Sequence, residues 1–219
     1  MVTVSGRWIF QGHIAGFGSQ CGLRAVVGIW DESPYGAFAD VMVELPSGRR
    51  LLLAPQREIA NFIETTYTFE EVLLVPVHAK VGPSTGGGEV LSVEAGPLRL
   101  SASIGGRTRL GLLLALVPRA IAVHPRWLSL INPLARLLSP GVRTAGTAAP
   151  GRREYYGVTG LRRVESASIL WDGCCCGPLA EIVPAVRFGF SSVPATPILA
   201  TVQTTIRATR QPSSGDTLS

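Results

Sequence analysis

Ser33-Pro34-Tyr35-Gly36-Ala37-Phe38-Ala39-Asp40-Val41-Met42-Val43-Glu44-Leu45-Pro46-Ser47-Gly48-Arg49-Arg50-Leu51-Leu52-Leu53-Ala54 holds a turn, a strand, a second turn and a returning strand. Ser-Pro-x-Gly and Pro-Ser-Gly supply the turn chemistry on either side of residues 38–45. Between them the residues alternate. Successive side chains of a strand point to opposite faces, so Val41, Val43 and Leu45 share one face. Phe38, Asp40, Met42 and Glu44 share the other. The pattern predicts a hairpin with residues 50–54 as its second strand. It also sets two carboxylates on an otherwise apolar face.

The same two-residue period extends in both directions. Residues 2–15 and 23–30 read as strands joined by a turn at Gly16-Phe17-Gly18. After Pro55, which suits the first turn of a helix, the spacing of Ile59, Phe62 and Ile63 predicts a short helix over 56–64. Residues 69–77 become apolar on both parities and read as a fully buried strand. A flexible loop over 84–88 leads to a second hairpin, 90–95 and 98–104, hinged at Gly96-Pro97. Leucines then dominate. Thr108 is placed to cap a helix reaching residue 117. A second helix is predicted from Pro125, with Trp127, Leu130, Ile131, Leu134 and Leu138 on one face and a kink at Pro133. Strands return over 152–158, 162–171, 186–190 and 198–208. The expectation is an α+β, mainly β fold: an antiparallel, barrel-like sheet with a helical insertion around residues 108–138. Residues 1–208 are read as a single β-rich domain and 209–219 as a disordered tail.

Composition agrees. Hydrophobic residues make up 46% of the chain and charged ones 16%, enough apolar material for a core and too little charge for global disorder. The 25 glycines and 16 prolines suit many short strands and turns. Cys21, Cys174, Cys175 and Cys176 are the cysteines, and neighbours in a run do not reach disulfide geometry with one another. The start of the chain lacks a basic stretch followed by an apolar one, so no secretory signal is read there and a cytoplasmic location is expected. The most apolar stretch, 110–123, is broken by Pro118 and Arg119 and is shorter than the ~20 residues that cross a bilayer.

Charge is segregated. Ten acids and four bases lie between Asp31 and Glu94, whereas ten arginines and one acid lie between Arg107 and Arg163. Lys80 is the only lysine, and the preference for arginine fits GC-rich bacterial coding. A basic, leucine-rich stretch would suit an anionic membrane surface, so 107–138 carries an alternative reading as a peripheral, lipid-associating segment. The bland reading packs its leucines on the barrel. No nucleic-acid-binding motif accompanies the charge, and nucleic acid is not an expected partner.

Sequence signatures of known chemistry are absent. There is no HExxH, no paired Cys/His spacing, no GxSxG and no Walker or dinucleotide fingerprint, so neither a metal nor a cofactor is predicted. His13, His78 and His124 fall on separate elements, and Cys174–Cys176 reads as a surface turn after Trp171-Asp172-Gly173. The paired carboxylates remain. If the face carrying Asp40 and Glu44 lined a cavity, desolvation would raise their pKa towards the range useful for acid/base work. Phe38 and Met42 would then line the ligand site, Tyr35 would sit at its mouth, and Arg187 would pair with an anion.

The segment Trp30-Asp31-Glu32-Ser33-Pro34-Tyr35-Gly36-Ala37-Phe38-Ala39-Asp40-Val41-Met42-Val43 resembles part of the acetoacetate decarboxylase-like superfamily, in which a Ser/Thr-Pro-x-Gly-Pro-aromatic-x-acid pattern enters a barrel strand. Here Ala37 stands where that family often has Pro. The resemblance implies that Asp40 occupies the place of an acidic active-site residue. The decarboxylases carry their Schiff-base lysine in the segment that follows. Residues 60–69 hold none, so the resemblance implies lyase-like chemistry without that lysine. The combined expectation is a small-molecule-binding barrel with an acid/base site for an apolar or carboxylate-bearing ligand, the other alternative being a non-enzymatic interaction protein.

Overall fold

Strands follow the two-residue period along most of the chain, and the computed structural model describes residues 7–118, 145–149, 152–189 and 193–208. The first half supplies β1 (Arg7–Ser19), β2 (Arg24–Glu32), β3 (Phe38–Glu44), β4 (Arg50–Ala54), α1 (Arg57–Glu64), β5 (Glu71–Leu74), β6 (Val77–Pro83), β7 (Glu89–Ala95) and β8 (Leu98–Arg107). After α2 (Arg109–Leu114) come β9 (Ala145–Ala149), β10 (Arg152–Trp171), β11 (Cys174–Cys175), β12 (Leu179–Ala180) and β13 (Ile198–Ala208). They form one sheet in the order β5-β4-β3-β2-β1-β13-β10-β8-β7-β6, with β9 and β11 on β10 and β12 on β1. The sheet curls strongly into a half-barrel and brings β6 close to β2 and β3. The mainly β fold is as expected, with one difference. β4 and β5 pair in parallel, so the sheet is mixed rather than antiparallel throughout. Parallel neighbours need a crossover, and α1 is that crossover.

Both faces of the first strands are covered, for different reasons. The inner face closes on itself. Ala25, Val27, Ile29, Ala39, Val41 and Val43 meet Leu91, Val93, Leu98 and Leu100 from the far limb of the curl. The outer face of β2–β4 would be wet in a simple barrel. Here α1 lies over it through Ile59, Ala60 and Ile63, packed on Leu52 and Ala54. Beside α1, Ile182, Val186 and Phe188 pack on Val26 and Met42.

Several local expectations change. β1 runs straight through Gly16-Phe17-Gly18, and the chain reverses at Gln20–Gly22 instead, with the Gly22 N–H bonded to the Ser19 carbonyl at 2.9 Å. These glycines serve close approach rather than a turn. A Cβ on Gly16 would come 2.9 Å from Ile182 and Val193 side chains, and one on Gly18 would come 2.4 Å from the Glu181 carbonyl oxygen. The stretch 69–77 is not one buried strand. It divides at Val75-Pro76 into β5 and β6, and Leu74 is exposed. Residues 152–158 and 162–171 are one strand, β10, bent by a register shift between Val158 and Gly160. Residues 186–189 pair with no strand and cover the sheet as an extended segment. Thr108 caps α2 as expected, its side chain accepting a hydrogen bond from the Gly111 N–H at 2.9 Å. The rest of the predicted helical insertion, residues 119–138, and the predicted tail, 209–219, lie outside the described residues. Among those described, no helix is long and apolar enough to cross a membrane.

Candidate functional site

The outer face of β2 and β3 carries a cavity under α1. In the register of the two strands Gly28 faces Asp40 and Trp30 faces Phe38. On one parity this places an aromatic ring beside an aromatic ring, and a carboxyl beside a residue with no side chain. Phe10 and Ile14 of β1, Thr204 and Ile206 of β13, and Phe62, Ile63, Thr66 and Tyr67 at the end of α1 complete the wall with Val26 and Met42. The volume open to the centre of a water molecule is about 70 Å³. A cavity of this size admits water and suits a small or narrow ligand.

The walls are mostly aromatic. Phe10 stacks on Phe62 with centroids 5.3 Å apart and meets Trp30 edge-on at 5.6 Å. Tyr35 packs on Phe62 at 5.3 Å and on Phe10 at 6.5 Å. Such contacts hold rings in place beyond the area they bury.

Asp40 is the charge-bearing group of this wall, and it is only 3% exposed. Its single side-chain hydrogen bond among the described residues comes from the Trp30 indole N–H, 2.9 Å from Oδ1. Burial penalises the carboxylate and the indole bond favours it. Burial wins, and the carboxyl is pushed up to about 7. A group whose pKa lies near neutrality both gives and takes a proton readily. Thr204 is buried beside this cavity, and its Oγ1 has no hydrogen-bond partner among the described residues, so a second polar group there has spare hydrogen-bonding capacity.

Gly28 makes this arrangement sterically feasible. A Cβ there would lie 2.6 Å from Asp40 Oδ1 and 2.8 Å from Trp30 Nε1, inside the hydrogen bond between them. Gly28→Ala is therefore expected to separate indole from carboxyl and to weaken any ligand held by Asp40 about tenfold, roughly 1.4 kcal/mol. Titration of the Trp30 emission against ligand checks this. Equal affinity in the variant would mean that the pair does not shape the site.

The sequence-predicted site residues separate into two groups. Asp40, Phe38 and Met42 line the cavity, and Tyr35 backs its aromatic wall. Glu44 does not line it. Although it shares a face with Asp40, it is fully buried in an ion pair with Arg24, Nη2 to Oε1 3.0 Å. The Glu44 Oε2 accepts the backbone N–H of Arg187 at 3.1 Å. The Arg187 side chain itself is 75% exposed and absent from the cavity. Trp30, Phe10, Gly28 and Thr204 were not singled out from sequence. The first and third share the Asp40 face once β2 and β3 are put in register. Phe10 and Thr204 come from strands that only the sheet order brings alongside.

Lys80 lies exposed on β6, away from this cavity, beside His78 and Glu94. Among the described residues no group of three His, Cys, Asp or Glu side chains is placed to hold a metal ion. Leu110, Leu112 and Leu113 on α2, and Leu116 just after it, are exposed.

No protein-family model matches the chain, and no curated protein matches it. Among solved structures it is similar to a crystal structure of a protein from Nitrosomonas europaea provisionally assigned as an AttH. The two are 11% identical, the match covers 95% of this chain and 52% of that one, and the TM-score is 0.27. This chain thus spans about half the length of that protein. A score of that size carries no inference about chemistry.

Proposed function

We propose that the cavity under α1 binds a small, neutral, largely apolar molecule, and that Asp40 meets its one polar group as hydrogen-bond partner and proton donor or acceptor. One observation carries this reading. Asp40 is a buried carboxyl, raised to about 7, facing a hollow that is otherwise almost wholly apolar. Keeping such a group desolvated costs stability, and perturbed groups of this kind gather at functional sites. Pockets for small ligands are mostly apolar with a few placed polar groups, which is the composition here.

Of the two ligand classes considered from sequence, the neutral apolar one fits better. A carboxylate-bearing molecule would bring a second anion beside Asp40. The arginine once assigned to it, Arg187, lies largely exposed outside the cavity wall, its guanidinium 3.7 Å from the Glu44 carboxylate. The other nearby arginine, Arg24, is engaged by Glu44. Schiff-base chemistry is not part of the reading, because Lys80 is not in the cavity wall.

Native mass spectrometry of the protein purified from its own host tests the proposal. The expected result is a retained neutral molecule that Asp40→Asn or Gly28→Ala releases. Retention of an anionic molecule, or of one unaffected by both substitutions, would assign the ligand to another place.

A further inference from the structure

Cys21 is far in sequence from the run Cys174–Cys176, but the fold brings one member of that run to it. The turn between β1 and β2 docks on the segment after β11. The Gln20 N–H bonds to the Pro178 carbonyl and the Cys21 N–H to the Cys176 carbonyl, each at 3.0 Å. A single backbone N–H···O bond of this length holds the two Cα atoms roughly 5–6.5 Å apart, inside the range of about 4.4–6.8 Å that a disulfide spans. The two thiols are close enough for each to influence the other's protonation. Cys21 is exposed and Cys176 is buried, and both are free thiols. The Asp172-Gly173 turn positions this second partner: Cys174 and Cys175 point to solvent, while the Cys176 N–H bonds to the Ile169 carbonyl at 2.9 Å.

We propose that Cys21 and Cys176 form a reversible thiol–disulfide site, with Cys21 as the attacking sulfur and Cys176 as the resolving one. Their surroundings divide the roles. Burial acts to raise the Cys21 thiol, but hydrogen bonds from Ser19, the Leu23 N–H and Cys176 outweigh it, and the thiol is held below its ordinary value. The Ser19 hydroxyl lies 3.3 Å from Cys21 Sγ and 2.9 Å from the Leu23 carbonyl oxygen. It can turn its proton from the carbonyl to the sulfur as the thiolate forms. Burial first, then the neighbouring Cys21, pushes the Cys176 thiol up to about 11. An accessible, thiolate-prone sulfur beside a protected thiol is the arrangement that directs first attack to one of the two.

The oxidant is a low-molecular-weight disulfide, such as glutathione disulfide. The Cys21 thiolate attacks one of its sulfurs, forming a mixed disulfide and releasing one glutathione thiolate. Cys176 gives up its proton and attacks Cys21 Sγ, expelling the second glutathione thiolate. Two protein thiols become one disulfide and one disulfide becomes two thiols, so electrons and protons balance. A bridge here would tie the β1–β2 turn to β11. A thiol-rich cytosol would reopen it.

Oxidation of the folded protein with glutathione disulfide, followed by alkylation and tryptic mass mapping, tests the site. The expected product is a bridge, with loss of two hydrogens, between peptides 8–24 and 164–187. Because the second peptide holds three cysteines, variants make the assignment. Cys174→Ser/Cys175→Ser is expected to keep the bridge. Cys176→Ser is expected to stop at a glutathione adduct on Cys21, and Cys21→Ser to give neither. A bridge that needs Cys174 or Cys175, or faster alkylation of either than of Cys21 at neutral pH, would overturn the proposal. The double variant retains the buried thiol, so the test stands even if Cys176→Ser fails to fold.

Discussion

Asp40→Asn is expected to make the protein more stable at pH 8 and leave it nearly unchanged at pH 4. The sign follows from linkage. In the unfolded chain Asp40 titrates near its ordinary 3.8, and in the folded protein near 7. Between those values the native state holds a proton that the unfolded state has lost, so wild-type stability falls as pH rises through that window. Above pH 7 the loss is complete. The displacement of the titration corresponds to about 4 kcal/mol, at ~1.4 kcal/mol per pH unit. Asparagine has nearly the same shape, keeps an acceptor for the Trp30 indole and has no charge to desolvate. The variant should therefore gain a melting temperature on the order of 10 °C over wild type at pH 8. Urea denaturation of both proteins from pH 4 to 8 reads the effect. A gap that does not widen with pH would mean that Asp40 is solvated as an ordinary carboxylate, and the proposed site would lose its central group. If Asp40 has the proposed role, the gain in stability should be accompanied by loss of ligand contact, the exchange expected where a charged group is kept buried for function.

How far these features were legible in sequence depends on the range of the interactions that make them. Residues 38–54 were readable because alternation and turn chemistry are local: Val41 and Val43 face the inner core, and Asp40 faces the other way. The α1 spacing of Ile59 and Ile63 was readable for the same reason. What parity could not supply was the identity of the covering layer. A barrel reading places the Asp40 face either inside the curl or in water. The protein does neither, because α1 and residues 182–188 make a second core on the outside of the sheet. Gly16 and Gly18 looked like turn residues because local sequence does not announce that Glu181 and Ile182 will press against them. Asp40 and Glu44 looked equivalent for a similar reason. Their difference lies in one partner, Arg24, brought opposite Glu44 by the β2–β3 register, and in the segment from Pro184 to Arg187, which is remote in sequence.

That difference makes Glu44→Ala the substitution with the other large expected effect, and of a different kind. Glu44 is fully buried and Arg24 is 6% exposed. Arg24 Nη1 also donates to the Pro184 carbonyl at 2.6 Å, while its Nε has no partner among the described residues. Removing the carboxylate would strand a buried guanidinium with one neutral acceptor, and would leave the Arg187 N–H without its own. Breaking a buried pair from one side costs about 3–5 kcal/mol. The loss should reach the cavity under α1, because the same two contacts pin the 184–188 segment whose Val186 and Phe188 pack on Val26 and Met42. The predicted phenotype is thus a large fall in stability together with weakened retention of the proposed ligand, although Glu44 does not line the cavity. Two further variants separate this from a direct role. Arg187→Ala removes a mostly exposed side chain whose guanidinium makes only a long, 3.7 Å ion pair with Glu44, and it leaves the backbone N–H in place, so it should change stability by no more than ~1 kcal/mol. Arg24→Met/Glu44→Leu removes both charges, and much of the single-variant loss should return, since the cost lies in the unpaired ion rather than in the absence of the pair. Chemical denaturation of the four proteins decides it. If Arg187→Ala were as damaging as Glu44→Ala, the guanidinium of Arg187 rather than that of Arg24 would be what the buried carboxylate holds.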